Sequence, residues 1–285
     1  MEFFAEFLRI LDWRMATPEV YGWFHLMWFA LSIIAAIVLC ATHKKGNSER
    51  VKKVIRIVAI TVFVLEIYKM INYSFDYKNG VEFDFQWYAF PFQFCSTPMY
   101  IGLLAGFTKN GKFHKALVAY LGTFALFAGL CVMFHPNDIY ISTIGINIQT
   151  SICHGSMISV GIYILYSEYV ELKHKTILGA AAVFSCCLGI AVLLNEVMFY
   201  SGILGGETFN MFYVSRHFEG TLPVYSSVQA YVPYPWSLII YILGFTLASY
   251  IVLLLAIIIK AVVLRVKGKN PTVKAEPKKE LLEIK

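Results

Sequence analysis

From Trp236 to Leu264 the chain runs for 29 residues with a single charged side chain, Lys260. A helix of that length, at ~1.5 Å per residue, exceeds the ~30 Å hydrocarbon core of a bilayer. Six more apolar runs precede it: Tyr21–Ala41, Val54–Phe75, Pro91–Phe107, Ala116–Phe134, Ile144–Tyr166 and Ile177–Tyr200. The fold class that follows is all-α, a polytopic membrane protein with seven transmembrane helices. Composition agrees, with 58% hydrophobic and 15% charged residues where soluble domains carry about 25% charged. No segment between the runs is long enough to bury a catalytic core of its own.

The third run is the shortest, and the aromatic pair Trp87-Tyr88 predicts an earlier start for it, near the membrane interface. Ahead of the spans, Phe4, Leu8, Leu11 and Met15 recur at helical spacing, with Glu2, Glu6 and Arg9 on another face. That pattern predicts an amphipathic helix lying in the interface and ended by Pro18, rather than a signal peptide. The chain therefore divides into an interfacial helix over residues 1–18, a seven-helix domain over 19–264 and a basic tail over 265–285. The tail mixes lysine, glutamate and two prolines without apolar periodicity, which predicts disorder. The connection over 201–235 is long and rich in glycine, proline and aromatics, which predicts a lid packed on the membrane face.

Charge sets the expected orientation. Of the 24 lysines and arginines, 17 lie in the first–second, third–fourth and fifth–sixth connections and the tail. The amino-terminal segment and the other three connections hold only 4. This bias places the amino terminus outside and the carboxyl terminus in the cytoplasm, as an odd number of spans requires. The net charge of +6 is thus a topology signal, and nucleic acid is not an expected partner. All six cysteines fall inside apolar runs, so neither a disulfide framework nor a zinc spacing is expected.

Ionisable and amide side chains inside a membrane are expensive and call for a reason. The second span carries Glu66, Lys69 and Asn72, and the fifth carries Asn147, Gln149, Thr150, Ser151 and His154. Asn147, Thr150, Ser151 and His154 share one helical face. Counted from the outer ends of their spans, Cys95 lies ~6 Å deep, Asn195 ~8 Å, Glu66 ~14 Å and His154 ~15 Å. All four fall in the outer half of the core, which predicts one polar pocket open toward the outer leaflet. In such a pocket His154 is placed to take the proton of Cys95. Gln93 and Asn195 are amide donors for an oxyanion, and Glu66 is a carboxylate able to orient the imidazole. Two other readings stay open: interhelical hydrogen bonds that hold the bundle together, including a Glu66–Lys69 pair, and a pocket for transport or ligand binding.

The stretch Pro91-Phe92-Gln93-Phe94-Cys95-Ser96 resembles the Pro-Leu-His-Leu-Cys-Ser element of the YwaF-like integral membrane proteins, a bacterial group related to a eukaryotic transmembrane phospholipid acyltransferase. Glu66, His154 and Asn195 match that family's intramembrane glutamate, histidine and asparagine. Asn210-Met211-Phe212 echoes its Asn-Tyr-Met-Phe element without the tyrosine, and Pro235-Trp236 its Pro-Trp. The resemblance spans the first through seventh helices and excludes the tail. It implies acyl transfer through a thioester, with Cys95 as nucleophile and His154 as acid–base. Gln93 stands where the family has histidine, so no proton shuttling is expected there.

The expectation is a membrane acyltransferase that moves acyl chains between phospholipids, with a lipid or small-molecule transporter or receptor as the alternative. Asn147, Ser151, Asn210 and Trp236 are substrate-pocket candidates. Phospholipids are the expected partners, with no obligatory protein partner, cofactor or metal. The expected location is the bacterial cytoplasmic membrane.

Overall fold

The computed structural model describes residues 2–44, 46–76, 81–136 and 139–268, with the side chains of residues 6 onward. The expected disordered tail lies outside the described residues beyond 268. Ten helices are described: α1 (Glu2–Leu11), α2 (Trp23–Ala41), α3 (Ser48–Ser74), α4 (Thr97–Phe107), α5 (Lys112–Tyr120), α6 (Leu126–Phe134), α7 (Ile144–Tyr166), α8 (Thr176–Ser201), α9 (Tyr225–Tyr231) and α10 (Trp236–Val266). A π-helical turn, Leu121–Ala125, joins α5 to α6. A two-stranded antiparallel hairpin of β1 (Phe75–Asp76) and β2 (Glu82–Phe83) follows α3.

Among the described residues five helices are long and apolar enough to cross a membrane: α2, the continuous run Lys112–Phe134, α7, α8 and α10. Their bounds follow the apolar runs closely, and α7 starts and stops where its run does. α3 has 27 residues, ~40 Å of helix, but carries Arg56, Glu66 and Lys69 along it.

Two expectations need correction. The third run is helical only from Thr97, and its 11 residues make ~16 Å of helix, about half a bilayer core. Trp87–Ala89 is a separate 3-10 turn, and Phe90–Ser96 is irregular backbone. Pro91 has no N–H to give a helix and biases Phe90 toward extended backbone, while Pro98 suits the first turn of α4. At the amino terminus, the helix stops at Leu11 rather than Met15. Trp13 and Met15 instead pair with the strand-like stretch before α7, through Ile144 N–H to Trp13 O (3.0 Å) and Met15 N–H to Ser142 O (2.9 Å). Asp12 accepts from the Thr143 hydroxyl at 3.0 Å. These tertiary bonds outweigh the local helical pattern.

α7 is the centre of the bundle, buried along most of its length between α2, α3 and α6. Glycine lets α6 and α7 close up: a Cβ on Gly161 would stand 2.6 Å from Leu126 Cβ, the small-residue contact by which membrane helices pack. The connections sort to two ends. At one end Lys52 donates to Thr108 O (2.6 Å), Lys115 pairs with Glu171 (3.2 Å), and Lys260 with Glu168 (2.5 Å). There Lys173 and Lys115 bond the exposed Glu171 carboxyl and hold it down at about 2. At the other end Arg14 reaches Ser142 (2.9 Å), Tyr21 reaches Phe134 O (2.8 Å), and Trp87 N–H reaches Glu207 (3.0 Å).

Candidate active site

The irregular stretch before α4 and the long connection after α8 are built together. Gln93 donates to Asn210 O at 3.0 Å and accepts from Phe212 N–H at 2.9 Å. Asn195, on α8, donates to Met211 O at 3.0 Å and accepts from Met211 N–H at 2.8 Å. Tyr241, on α10, donates to Phe212 O at 3.0 Å. Phe212 and Tyr213 have φ of +58° and +57°, left-handed backbone that non-glycine residues adopt at a cost. The five hydrogen bonds hold it there. Asn210 braces the same loop from within, accepting from Ser215 N–H at 2.9 Å and donating to Glu219 O at 3.3 Å.

Phe209, Met211, Phe212 and Val214 are fully buried. Phe94, Phe184, Tyr241 and Phe245 close around the loop, with ring centroids of 5.3 Å for Phe94–Phe184 and 4.5 Å for Tyr241–Phe245. This part of the connection is thus buried in the bundle, with the N–H and C=O of both Met211 and Phe212 paired, as buried backbone requires, while Ile203, Val224 and Tyr231 of the same connection are exposed.

Cys95 sits on the turn that leads into α4 and is half-buried. With Val62, Met99, Leu121, Cys153 and Gly161 it lines a cavity of about 40 Å³ between α3, α4, α7 and the π turn. That is room for a water molecule, which needs ~10–15 Å³. The Cys153 thiol donates to the Cys95 carbonyl at 3.7 Å. Glu66 and Lys69 lie within electrostatic reach of both cysteines.

Glu66 is buried on α3 and pairs with Lys69 on one oxygen and with the Gln149 amide, at 2.9 Å, on the other. It makes no hydrogen bond to His154. The His154 ring is fixed by its own helix: Nδ1–H donates to Thr150 O at 2.8 Å. A ring held that way keeps its proton on Nδ1 and presents Nε2 as the basic nitrogen. No hydrogen bond joins His154 to Cys95, which has Cys153 as its neighbour on α7 instead.

The substrate-pocket candidates do other work. Asn147 clamps the backbone before its own helix, accepting from Ile141 N–H (2.9 Å) and donating to Ile141 O (2.7 Å). Ser151 donates to Asn147 O at 2.7 Å. Trp236 is exposed at the start of α10. Neither the Cys95 cavity nor the larger groove beside Glu66 includes any of the four. The sequence reading did not single out Cys153 and Tyr241, and it named Gln149 among the polar residues of its span without giving it a role. Gln149 carried a signal, as a buried amide in an apolar run; Cys153 and Tyr241 carried none that separates them from core residues. Among the described residues no group of three or more His, Cys, Asp or Glu is placed to hold a metal ion.

A bundle in which five of the described helices are long and apolar enough to cross a membrane defines a multi-pass integral membrane protein. The chain belongs to the TMEM164 family, whose model matches residues 20–269, all of the helical bundle from the approach to α2 through α10. No curated protein and no solved structure matches it.

Proposed function

We propose that this protein is a seven-span membrane acyltransferase that moves acyl chains between phospholipids through a thioester on Cys95. In this reading α3 and the α4 segment complete the seven spans, the connection over 201–235 lies outside, and the protein sits in the bacterial cytoplasmic membrane. The observation that carries it is Cys95 itself, a free-thiol residue on irregular backbone that lines a small, partly open cavity. Among the six cysteines it alone precedes a helix rather than lying within one.

The chemistry balances with the chain's own groups. The Cys95 sulfur attacks the ester carbonyl of the donor lipid as its proton passes to His154 Nε2. Collapse of the tetrahedral intermediate breaks the ester C–O bond, and the departing lysolipid oxygen takes the proton from His154. The hydroxyl of an acceptor lysolipid then runs the same steps in reverse. Thr150 O orients the imidazole, the part expected of Glu66, and resting enzymes commonly tighten the nucleophile–base contact only on binding substrate. The second N–H of the Gln93 or Asn195 amide is the oxyanion donor. The buried loop at Phe209–Val214 keeps water from the thioester, which favours transfer over hydrolysis.

Intact-protein mass spectrometry after incubation with phospholipid tests this. An acyl adduct removed by hydroxylamine, present in the parent and missing in Cys95→Ala, is expected. A second reading, a lipid or small-molecule transporter or receptor that only binds in this pocket, draws on the missing Cys95–His154 hydrogen bond. Absence of any adduct, with unchanged lipid composition in Cys95→Ala, would decide for that second reading.

A further inference from the structure

We infer that the groove between α3, α4 and the β1–β2 hairpin is the seat of a single acyl chain of a phospholipid. The inference rests on the acyl-transfer reading and gives that reading its chain-binding site. The groove holds about 230 Å³ and is walled by Phe63, Ile67, Met70, Phe83, Phe85 and Met99. Phe63 and Ile67 are 40% and 46% exposed, so its mouth opens on the side of α3, where an apolar helix face meets lipid rather than water.

Size and chemistry select the occupant. The volume exceeds the ~150 Å³ of a cavity that takes up benzene, yet falls short of the ~300 Å³ at which pockets for whole drug-sized ligands begin. A stretch of one acyl chain fills that space, the rest running out through the open mouth. Among the described residues, the polar side chains that line the groove are Glu66, Ser74 and Tyr100. Both Glu66 oxygens are engaged, by Lys69 and Gln149. The Ser74 hydroxyl is buried and finds no hydrogen-bond partner among the described residues, which leaves it a donor at the hairpin end of the groove.

That end suits the ester of a seated lipid, with the chain running along α3 toward Phe63, 11 residues and ~16 Å away. Met99 belongs to the walls of both this groove and the Cys95 cavity. A flexible thioether is thus the partition between chain and thiol, and it can move aside without opening the core.

The test uses the full-length protein in phosphatidylcholine nanodiscs doped with phosphatidylcholine that carries a diazirine in one acyl chain. After irradiation and digestion, labelling of the Phe63–Phe85 and Met99 peptides is divided by labelling of the α10 face at Leu243, Leu247 and Ile251, which are exposed along the bundle. The expected ratio is above unity in the parent and equally in Cys95→Ala, because chain binding precedes chemistry. It should fall about fourfold in Ile67→Trp, the loss of roughly one methylene's worth of burial. Met70→Trp serves as the second groove-filling variant. A ratio no higher than the α10 reference, unmoved by both tryptophans, overturns the inference even if Cys95 becomes acylated. An enriched ratio without any Cys95 adduct upholds the groove and removes the acyl-transfer reading instead.

Discussion

The Glu66 carboxylate lies between two donors, Lys69 on its own helix and Gln149 on α7, and the ion pair is nearly shut off from solvent, with side chains 6% and 16% exposed. Bringing both charges out of water is expensive, and each is tolerable only while the other is present. Lys69→Met should therefore lower stability by ~3–5 kcal/mol, the cost of leaving a buried charge without its partner. Thermal unfolding in detergent measures it. The double variant Glu66→Gln with Lys69→Met should recover most of that loss, since a neutral amide can still meet Gln149. A double variant no better than the single one would show that Lys69 matters for its packing and not its charge. The i,i+3 spacing made the Glu66–Lys69 pair legible in the sequence. Its third member was not, because Gln149 lies off the face shared by Asn147, Thr150, Ser151 and His154, and only the packing of α7 against α3 brings it to the carboxylate.

At the scale of elements, the site is an irregular turn and a buried loop clasped by side chains from three places. Asn195 is almost fully buried and makes both of its bonds to the Met211 backbone. Asn195→Ala leaves the Met211 N–H unpaired in an apolar interior and its carbonyl with only the long bond from Val214 N–H (3.5 Å), a cost of ~1–3 kcal/mol. Since the loop runs on to exposed Arg216, which pairs with Glu196 at 2.7 Å, limited trypsin digestion reports its opening. Cleavage at Arg216 should speed up about tenfold for ~1.4 kcal/mol of loosening, and Trp236→Phe, at an exposed position, should leave it unchanged. An unaltered cleavage rate in Asn195→Ala would mean that Gln93 and Tyr241 hold the loop alone. Glycines, prolines and aromatics in the 201–235 connection told of an apolar, structured loop. They did not tell where it goes, because amide side chains such as Gln93 and Asn195 look alike in sequence whether they bind a substrate or a backbone. The helical bounds of α7 were readable because its apolar run is uninterrupted. Those of α4 were not, because the aromatics at Trp87-Tyr88 extend an apolar run that Pro91 prevents from being helical.

Over the whole molecule, charge and connectivity point to one arrangement in the membrane. The basic connections share an end, tied together by Lys52–Thr108, Lys115–Glu171 and Lys260–Glu168. The loop that clasps the thiol-bearing turn lies at the other, with Glu196, Arg216 and Trp87. Positive residues are retained on the cytoplasmic side during insertion, so the thiol should be nearer the outer surface. Single cysteines introduced at two exposed sites decide this: Glu219→Cys on the clasping loop and Lys173→Cys between α7 and α8. A membrane-impermeant maleimide added to intact cells should label Glu219→Cys above the parent chain. It should reach Lys173→Cys only after the cells are permeabilised. The native cysteines set the background, since Cys131 and Cys186 are exposed on apolar helix faces that lipid would cover. Labelling of Lys173→Cys in intact cells, with Glu219→Cys protected, would invert the protein and turn the Cys95 cavity toward the cytoplasmic leaflet. The acyl donors and acceptors within reach of the thiol would then be those of the inner leaflet, and the same groove on α3 would have to fill from that side.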